Sequence, residues 1–498
     1  MKVKSVAALA GAGMLLSSVS VWSLTDPARS LEVGSELPSD APQPSRRPID
    51  QPHSGASFSS GRTLALEGRL GHAKLLADTD NSTLLLVNVT ADEADAPIAP
   101  SPLNLAIVVD RSGSMKGQRI QNAIDGARGM VRRLRDGDVV SLIAYNQSAE
   151  VLVAPTTVDS SSRDRVSSAL AGITPQGDTC ISCGLDEGMA QLRQRSGMLD
   201  RILLLSDGEP TTGVRDLEGF RALGARIRNM GASISSVGVD VEYNERVMNV
   251  LAIESNGRHH FVENAGDLPR VFDQELETLA KSIAKNAEVA IALAPGVDAE
   301  RVFDRTFRRE GNQIFVPLGS FSSGEEKTLL IALRVPRGAS GERPIAEVKL
   351  AYDELAKGSS AGLHEGSQGK LSALYVDDPE SVSELDPVVL ARMQRSQTSA
   401  VLNEVNELYA AGRPEEARQK LRSQLDALGR ERTRALGRAP APAKPGLEKD
   451  FADQSAALGK AERGLAPPAA QGGDPAAAQR KAKAQVRANA TRALDFAF

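Results

Sequence analysis

The chain has 498 residues, a length that at about 150 residues per domain implies two to four domains. Apolar residues make up 41% and charged residues 25%, ordinary values for a globular protein that can bury real cores. A net charge of −5, no basic stripe and only 3% aromatics argue against nucleic acid as a partner; two cysteines exclude a disulfide-stapled scaffold, and five histidines, none in an H-E-x-x-H pattern, leave no zinc-protease signature.

The chain opens on Met1-Lys2-Val3-Lys4 and then an apolar, small-residue run from Val6 to Trp22. A short basic stretch before such a run reads as an export signal over residues 1–23, cut after Ser23. The alternative is an uncleaved signal, with residues 5–23 as a membrane tether. At ~17–19 residues the run is barely long enough to span a bilayer. The expected location is therefore the periplasm or cell surface, with inner-membrane anchoring as the alternative. Residues 24–60, rich in Pro, Ser, Asp and Arg, read as a disordered linker.

Residues 61–98 carry strand patterns at Leu64–Leu66 and Leu84–Val87, parted by the turn formers Asp78 to Ser82. Residues 103–283 then alternate apolar runs of strand length with helical periodicity. Leu105–Val109 is followed by Ile120, Ala123, Ile124, Ala127 and Val131 at helical spacing, and Ile202–Leu205 by a helix over Asp216–Met230. This alternation ends in a helix over Leu268–Ile283. Strands that are apolar throughout, joined by helices, predict a doubly wound, mostly parallel α/β sheet.

From 286 to 353 the period falls back to two, as in Val289, Ile291 and Leu293, which predicts a β-sandwich module. Strands on both sides of the α/β segment suggest one sandwich with that segment inserted. Residues 355–384 read as loop. Residues 385–435 predict a C-terminal α-helical hairpin turning at Ala411-Gly412-Arg413-Pro414. It resembles a single tetratricopeptide unit, but no second unit recurs at a fixed period. Residues 436–498 read as a low-complexity tail with a short helix near its end.

The chemistry-bearing residues lie where strands of the α/β segment end. Leu105–Val109 runs into Asp110-Arg111-Ser112-Gly113-Ser114, Ile202–Leu205 into Ser206-Asp207-Gly208-Glu209, and Gln176-Gly177-Asp178-Thr179 precedes a helix. In an open α/β sheet, ligands bind at the carboxyl ends of strands where the strand order reverses. Two carboxylates and three hydroxyls there form a hard-oxygen set that suits Mg2+, with Mn2+ or Ca2+ as alternatives. Asp-x-Ser-x-Ser alone is a common helix-cap pattern. Thr179 and Asp207 in matching strand-end loops tip the reading toward a metal.

Asp110-x-Ser112-x-Ser114, Thr179 and Asp207-Gly208 resemble the metal-ion-dependent adhesion site of the von Willebrand factor type A family. The resemblance covers about residues 103–283; the flanking strands also look like those of bacterial exported members and of inter-α-trypsin-inhibitor heavy-chain-like proteins. It implies that Ser112, Ser114 and Thr179 ligate the metal through their hydroxyls. Asp110 and Asp207 would act mainly through bound water or hydrogen bonds, and an Asp or Glu carboxylate of a partner protein would fill an open position. It therefore implies an exported, metal-dependent binding protein of adhesion or assembly rather than an enzyme. The alternatives are a membrane-anchored adaptor for a chaperone-like ATPase and, further off, a Mg2+-dependent hydrolase.

Cys180 and Cys183 form a C-x-x-C that departs from the family pattern. Three readings stand open: a redox-active pair, a structural disulfide that stiffens the metal loop, or two small buried thiols. A sharper form of the first holds that oxidation of the pair shifts Thr179 and tunes metal affinity. His259-His260, on a predicted strand far along the chain from the site, reads as packing rather than as a metal ligand.

Overall fold

A computed structural model describes residues 55–93, 102–195, 197–206, 210–239, 245–262, 268–355, 363–465 and 475–497. The expected export signal, most of the linker and Asp207 lie outside the described residues. Four strands come first: β1 (Ser57–Gly61), β2 (Leu64–Leu70), β3 (Lys74–Leu76) and β4 (Asn81–Ala91). The linker read as far as residue 60 is already strand at Ser57, because Phe58 is a buried core side chain.

The α/β segment follows as β5 (Leu103–Asp110), α1 (Gln118–Arg133), β6 (Val139–Tyr145), β7 (Ala149–Thr157), α2 (Ser160–Ala171) and α3 (Ile181–Leu192). It continues through β8 (Leu199–Ser206), α4 (Leu217–Asn229), β9 (Ser233–Val239), α5 (Glu245–Glu254), β10 (Arg258–Val262) and α6 (Leu268–Ala280). The strands form one sheet in the order β10-β9-β8-β5-β6-β7. All neighbours are parallel except the edge strand β7, which returns antiparallel along β6. Every residue of β5 and β6 is buried, because helices cover both faces. Alternate residues divide between them. Leu105, Ile107 and Val109 pack with α1, α2 and α6, whereas Ala106 and Val108 pack with α3, α4 and α5. The strand order reverses at β5, which places a crevice at the carboxyl ends of β5 and β8.

The third group is β11 (Ser282–Leu293), β12 (Asp298–Val302), β13 (Arg308–Glu310), β14 (Gln313–Ser322), β15 (Glu326–Val335), β16 (Gly341–Glu354) and β17 (Leu363–Val376). The helix expected to reach Ile283 stops at Ala280, since Ile283 and Ala284 already belong to the sandwich core. The sheet β1-β2-β4-β15-β12 faces the sheet β13-β14-β11-β16-β17-β3 across a shared core, so strands from both sides of the α/β segment build one sandwich. β4 pairs with β15 from Thr90 opposite Glu326 to Asn81 opposite Val335.

β17 corrects the loop reading of 355–384. Its Gly- and Ser-rich sequence hides a strand paired along its length with β16. The glycine has a packing reason: a Cβ on Gly369 would lie 2.0 Å from the Phe58 ring, and one on Gly68 would lie 2.2 Å from it. Phe58 fills the volume those side chains would take.

Among the described residues after the sandwich there are four long helices, α7 (Pro387–Ala410), α8 (Pro414–Arg438), α9 (Lys444–Gly464) and α10 (Pro475–Ala497). The hairpin is therefore half of a bundle, and the low-complexity tail is the other half. Leu447, Phe451, Leu458 and Ala461 form a buried stripe at helical spacing on α9, and Ala482, Ala493 and Phe496 join it from α10. α7 docks on the sandwich through Val389 against Leu86 and Leu330, and through Arg392, whose guanidinium reaches Asp304 at 3.3 Å. Among the described residues no helix is long and apolar enough to cross a membrane.

Candidate functional site

Leu103, Leu199, Leu279 and Ala280 line one cavity of about 220 Å3, so the entry to β5 and the exit of α6 meet at the amino ends of the strands. The crevice at the carboxyl ends therefore faces away from both connections to the sandwich. Two of its loops are described, and a third, after β8, from residue 210 onward.

The first loop starts at Asp110, fully buried at the end of β5. Its Oδ1 accepts the Ser112 amide at 2.8 Å, while Oδ2 accepts the Ser206 hydroxyl at 2.7 Å and the Tyr145 hydroxyl at 3.3 Å. Ser112 is buried, Ser114 is exposed, and their Oγ atoms lie 2.9 Å apart. A short 3-10 turn over Gly113–Met115, followed by Gly117 at φ 78°, produces this approach before α1 begins.

The second loop carries Thr179, buried at 4% exposure. Two backbone hydrogen bonds tie it to the first: Gly113 N–H donates to the Gly177 carbonyl at 2.9 Å, and Gln176 N–H to the Arg111 carbonyl at 2.8 Å. Gly177, at φ 76°, leaves room for Gln147, whose Oε1 would lie 2.0 Å from a Cβ there. The third loop holds the second in turn. Thr179 N–H donates to Thr211 Oγ1 at 2.9 Å, and the Thr179 carbonyl accepts the amides of Thr211 and Thr212 at 2.9 and 3.2 Å.

The structure thus gathers Asp110, Ser112, Ser114 and Thr179 at one strand end, while Asp207 is outside the described residues. Adjacent oxygens on an octahedral ion with bonds of about 2.1 Å are about 2.9 Å apart. The Ser112–Ser114 hydroxyl pair has that spacing, one hydroxyl buried and the other facing outward. Among the described residues no three His, Cys, Asp or Glu side chains gather as an alternative cage. Tyr145 was not singled out from the sequence, and Ser206 was quoted only as the first residue of its loop, with no role of its own. The signal was there, since each is the polar last residue of a strand that ends at the crevice.

Residues 104–274 match the von Willebrand factor type A domain. This segment is a type A domain. The chain is 26% identical over 287 residues to the uncharacterized protein sll0103 of Synechocystis sp., a match taking in 55% of this chain and 67% of that one. It is 28% identical over 202 residues to inter-alpha-trypsin inhibitor heavy chain H1 of Sus scrofa, covering 36% of this chain and 21% of the heavy chain. The chain therefore spans about two thirds of the first relative and a fifth of the second. A solved von Willebrand factor type A protein from Catenulispora acidiphila superposes with a TM-score of 0.63 at 16% identity, over 87% of this chain and 98% of that chain. That likeness concerns the fold, and it takes in the sandwich and helices as well as the type A domain.

The other singled-out residues divide. Cys180 and Cys183 form a disulfide with a Cα–Cα distance of 5.3 Å. His259 is buried, and its Nδ1 lies 2.9 Å from Ser236 Oγ. Burial, with the neighbouring His260, pushes its pKa down to about 3, so it is a neutral core residue. His260 Nε2 lies 3.2 Å from the buried Glu275 carboxylate, on the edge strand β10, three strands away from β5.

Proposed function

We infer that the strand-end crevice holds Mg2+, or Mn2+ or Ca2+ in its place, and that the metal-loaded face binds an acidic side chain of a partner protein. The observation that carries the reading is the Ser112–Ser114 hydroxyl pair at 2.9 Å, backed by the buried Asp110 carboxylate. Ser112, Ser114 and Thr179 are the residues that would hold the ion directly. Asp110 would hold Ser112 in place through its amide, and Asp207 would face the ion through water. A bound divalent ion with few carboxylates on it stays strongly positive and attracts an anionic group. The role is binding in adhesion or assembly, not catalysis, in a protein exported through the segment 1–23.

Calorimetric titration of Mg2+ and Mn2+ into the full chain tests the metal; Ser112→Ala and Asp110→Ala serve as controls. Capture from an envelope extract in Mg2+ and in EDTA tests the partner. Saturable one-to-one binding by wild type alone, with a protein retained only in Mg2+, supports the reading. Equal heats in all three proteins would sink it.

A further inference from the structure

The disulfide sits one residue from a candidate metal ligand, and the rest of the fold presses on it from both sides. Cys180 follows Thr179 and occupies the cap of α3; Cys183 lies in the helix's first turn. The Cys180 amide donates to the Asn146 carbonyl at 2.7 Å, fixing the bridge to the β6–β7 turn. On the other side, a Cβ on Gly213 would lie 2.6 Å from Cys180 Sγ, and Gly213 has φ 70°. Gly213 directly follows Thr211 and Thr212, whose amides hold the Thr179 carbonyl. The two sulfurs differ in access: Cys180 is buried at 1% exposure, whereas Cys183 is half-buried at the surface.

We propose that the Cys180–Cys183 bridge is a redox-operated lock on the strand-end metal site: closed, it fixes Thr179 for the ion, and open, it lets Thr179 drift and weakens binding. This rests on the metal reading above. The opening reagent is a dithiol reductant. One of its thiolates attacks Cys183 Sγ, the accessible sulfur, forming a mixed disulfide while Cys180 Sγ leaves with the bonding pair and takes a proton. The reductant's second thiol, as thiolate, then attacks its own sulfur in the mixed disulfide and releases Cys183 as a thiol. The bridge is reduced by two electrons and the dithiol is oxidised to its cyclic disulfide. The leaving sulfur is well placed, because Cys180 Sγ lies 3.3 Å from the Cys183 amide, which donates to it at the start of α3. With the bridge open, the first turn of α3 loses its covalent staple and keeps only non-covalent holds, among them the Asn146 carbonyl on the Cys180 amide and the Val214 amide on Ser182 Oγ. The Thr179 hydroxyl then loses the covalent constraint next door.

The experiment titrates Mg2+ and Mn2+ into the full chain in three states: oxidised; reduced with dithiothreitol and desalted without oxygen; and reoxidised. The Cys180→Ser/Cys183→Ser double variant is titrated beside them, thiols are counted in each sample, and amide hydrogen exchange is followed from Thr179 to Gly184. Loss of an outer-shell support typically weakens a metal site by tenfold or more. Reduced wild type and the double variant should therefore bind about tenfold more weakly than oxidised protein, with faster exchange at those amides, and reoxidation should restore wild type alone. Equal affinity in the oxidised and reduced states overturns the lock and leaves the metal site standing. No binding in any state overturns the metal reading and the lock together. Should the double variant fail to fold, reduction and reoxidation of wild type decide alone.

Discussion

Asp110, the last residue of β5, accepts the hydroxyl of Ser206, the last residue of β8, at 2.7 Å across 96 positions of sequence. Their strands are hydrogen-bonded in register up to Val109 opposite Leu205, so the side chains close the sheet just where the backbone ladder ends. A buried carboxylate fixed this way orients the Ser112 amide and supplies negative charge behind the hydroxyls.

Asp110→Asn retains the shape but removes the charge. Wild-type protein should melt higher in Mg2+ than in EDTA, by the equivalent of about 2.7 kcal/mol when free Mg2+ is a hundred times Kd. The variant should show no such gain, while its melting point in EDTA falls by only a few degrees. Thermal denaturation with and without EDTA checks both; a gain that survives in the variant would count against the site.

Asp200 faces Asn104, whose Nδ2 donates to it at 2.7 Å, but burial pushes its carboxyl up to about 6. The folded state thus binds a proton more tightly than the unfolded chain, so stability falls as pH rises from about 4 to 6. Asp200→Asn keeps an acceptor for Asn104 and removes the ionisation. Urea unfolding should show it roughly 1–2 kcal/mol more stable than wild type at pH 7, after allowing for partial exposure. The difference should vanish near pH 3.5. A variant less stable at pH 7 would refute this account.

Glu275 on α6 is buried against Ser235, His260 and Arg201. Burial pushes its carboxyl up, but the hydrogen bond from His260 and the charges of Arg201, His260 and Arg258 prevail and hold it well below the usual range. A depressed carboxyl contributes stability above the unfolded value of about 4.5 and loses it as pH falls further. Glu275→Ala strands the Arg201 guanidinium and should cost about 3–5 kcal/mol at pH 7. The acid limb of its stability profile should be flatter than that of wild type. Denaturation midpoints from pH 3 to 7 measure both.

Arg392 joins the helical bundle to the sandwich. It donates to Ser396 on its own helix and to Asp304 and Thr328 across the interface. Arg392→Ala leaves Asp304 poorly compensated, and about 3 kcal/mol of interface stability should be lost. Limited proteolysis should then cut within α7–α10 before the type A domain; an unchanged digestion pattern would show that apolar contacts alone hold the bundle.

The alternation of residues 103–283 was legible because β5, β6 and β8 are apolar along nearly their whole length, as strands covered on both faces must be. The strand-end loops were legible for a related reason: a polar cluster directly after such a strand has few places to go but the crevice. β7 was missed because an edge strand needs no apolar face, and Glu150, Pro155 and Thr156 mask it. β17 was missed because Gly369 yields its space to Phe58, a residue more than 300 positions earlier. No local pattern carries that information. α9 escaped notice because its stripe of Leu447, Phe451 and Leu458 lies in an Ala-, Gly- and Pro-rich stretch, whereas the short helix expected near the end falls within α10, which packs through Ala482 and Ala493 and so gives little periodicity beyond that.

The type A domain enters from β4 and leaves into β11, strands that belong to opposite sheets of the sandwich. A force applied at the crevice would therefore load both sheets at once, through two covalent threads at the far end of the domain. On the β4 side the pull runs along the β4–β15 ladder, so its hydrogen bonds are strained together in shear rather than opened one after another. The insertion makes the sandwich a two-point mechanical mount for the type A domain, one attachment on each sheet.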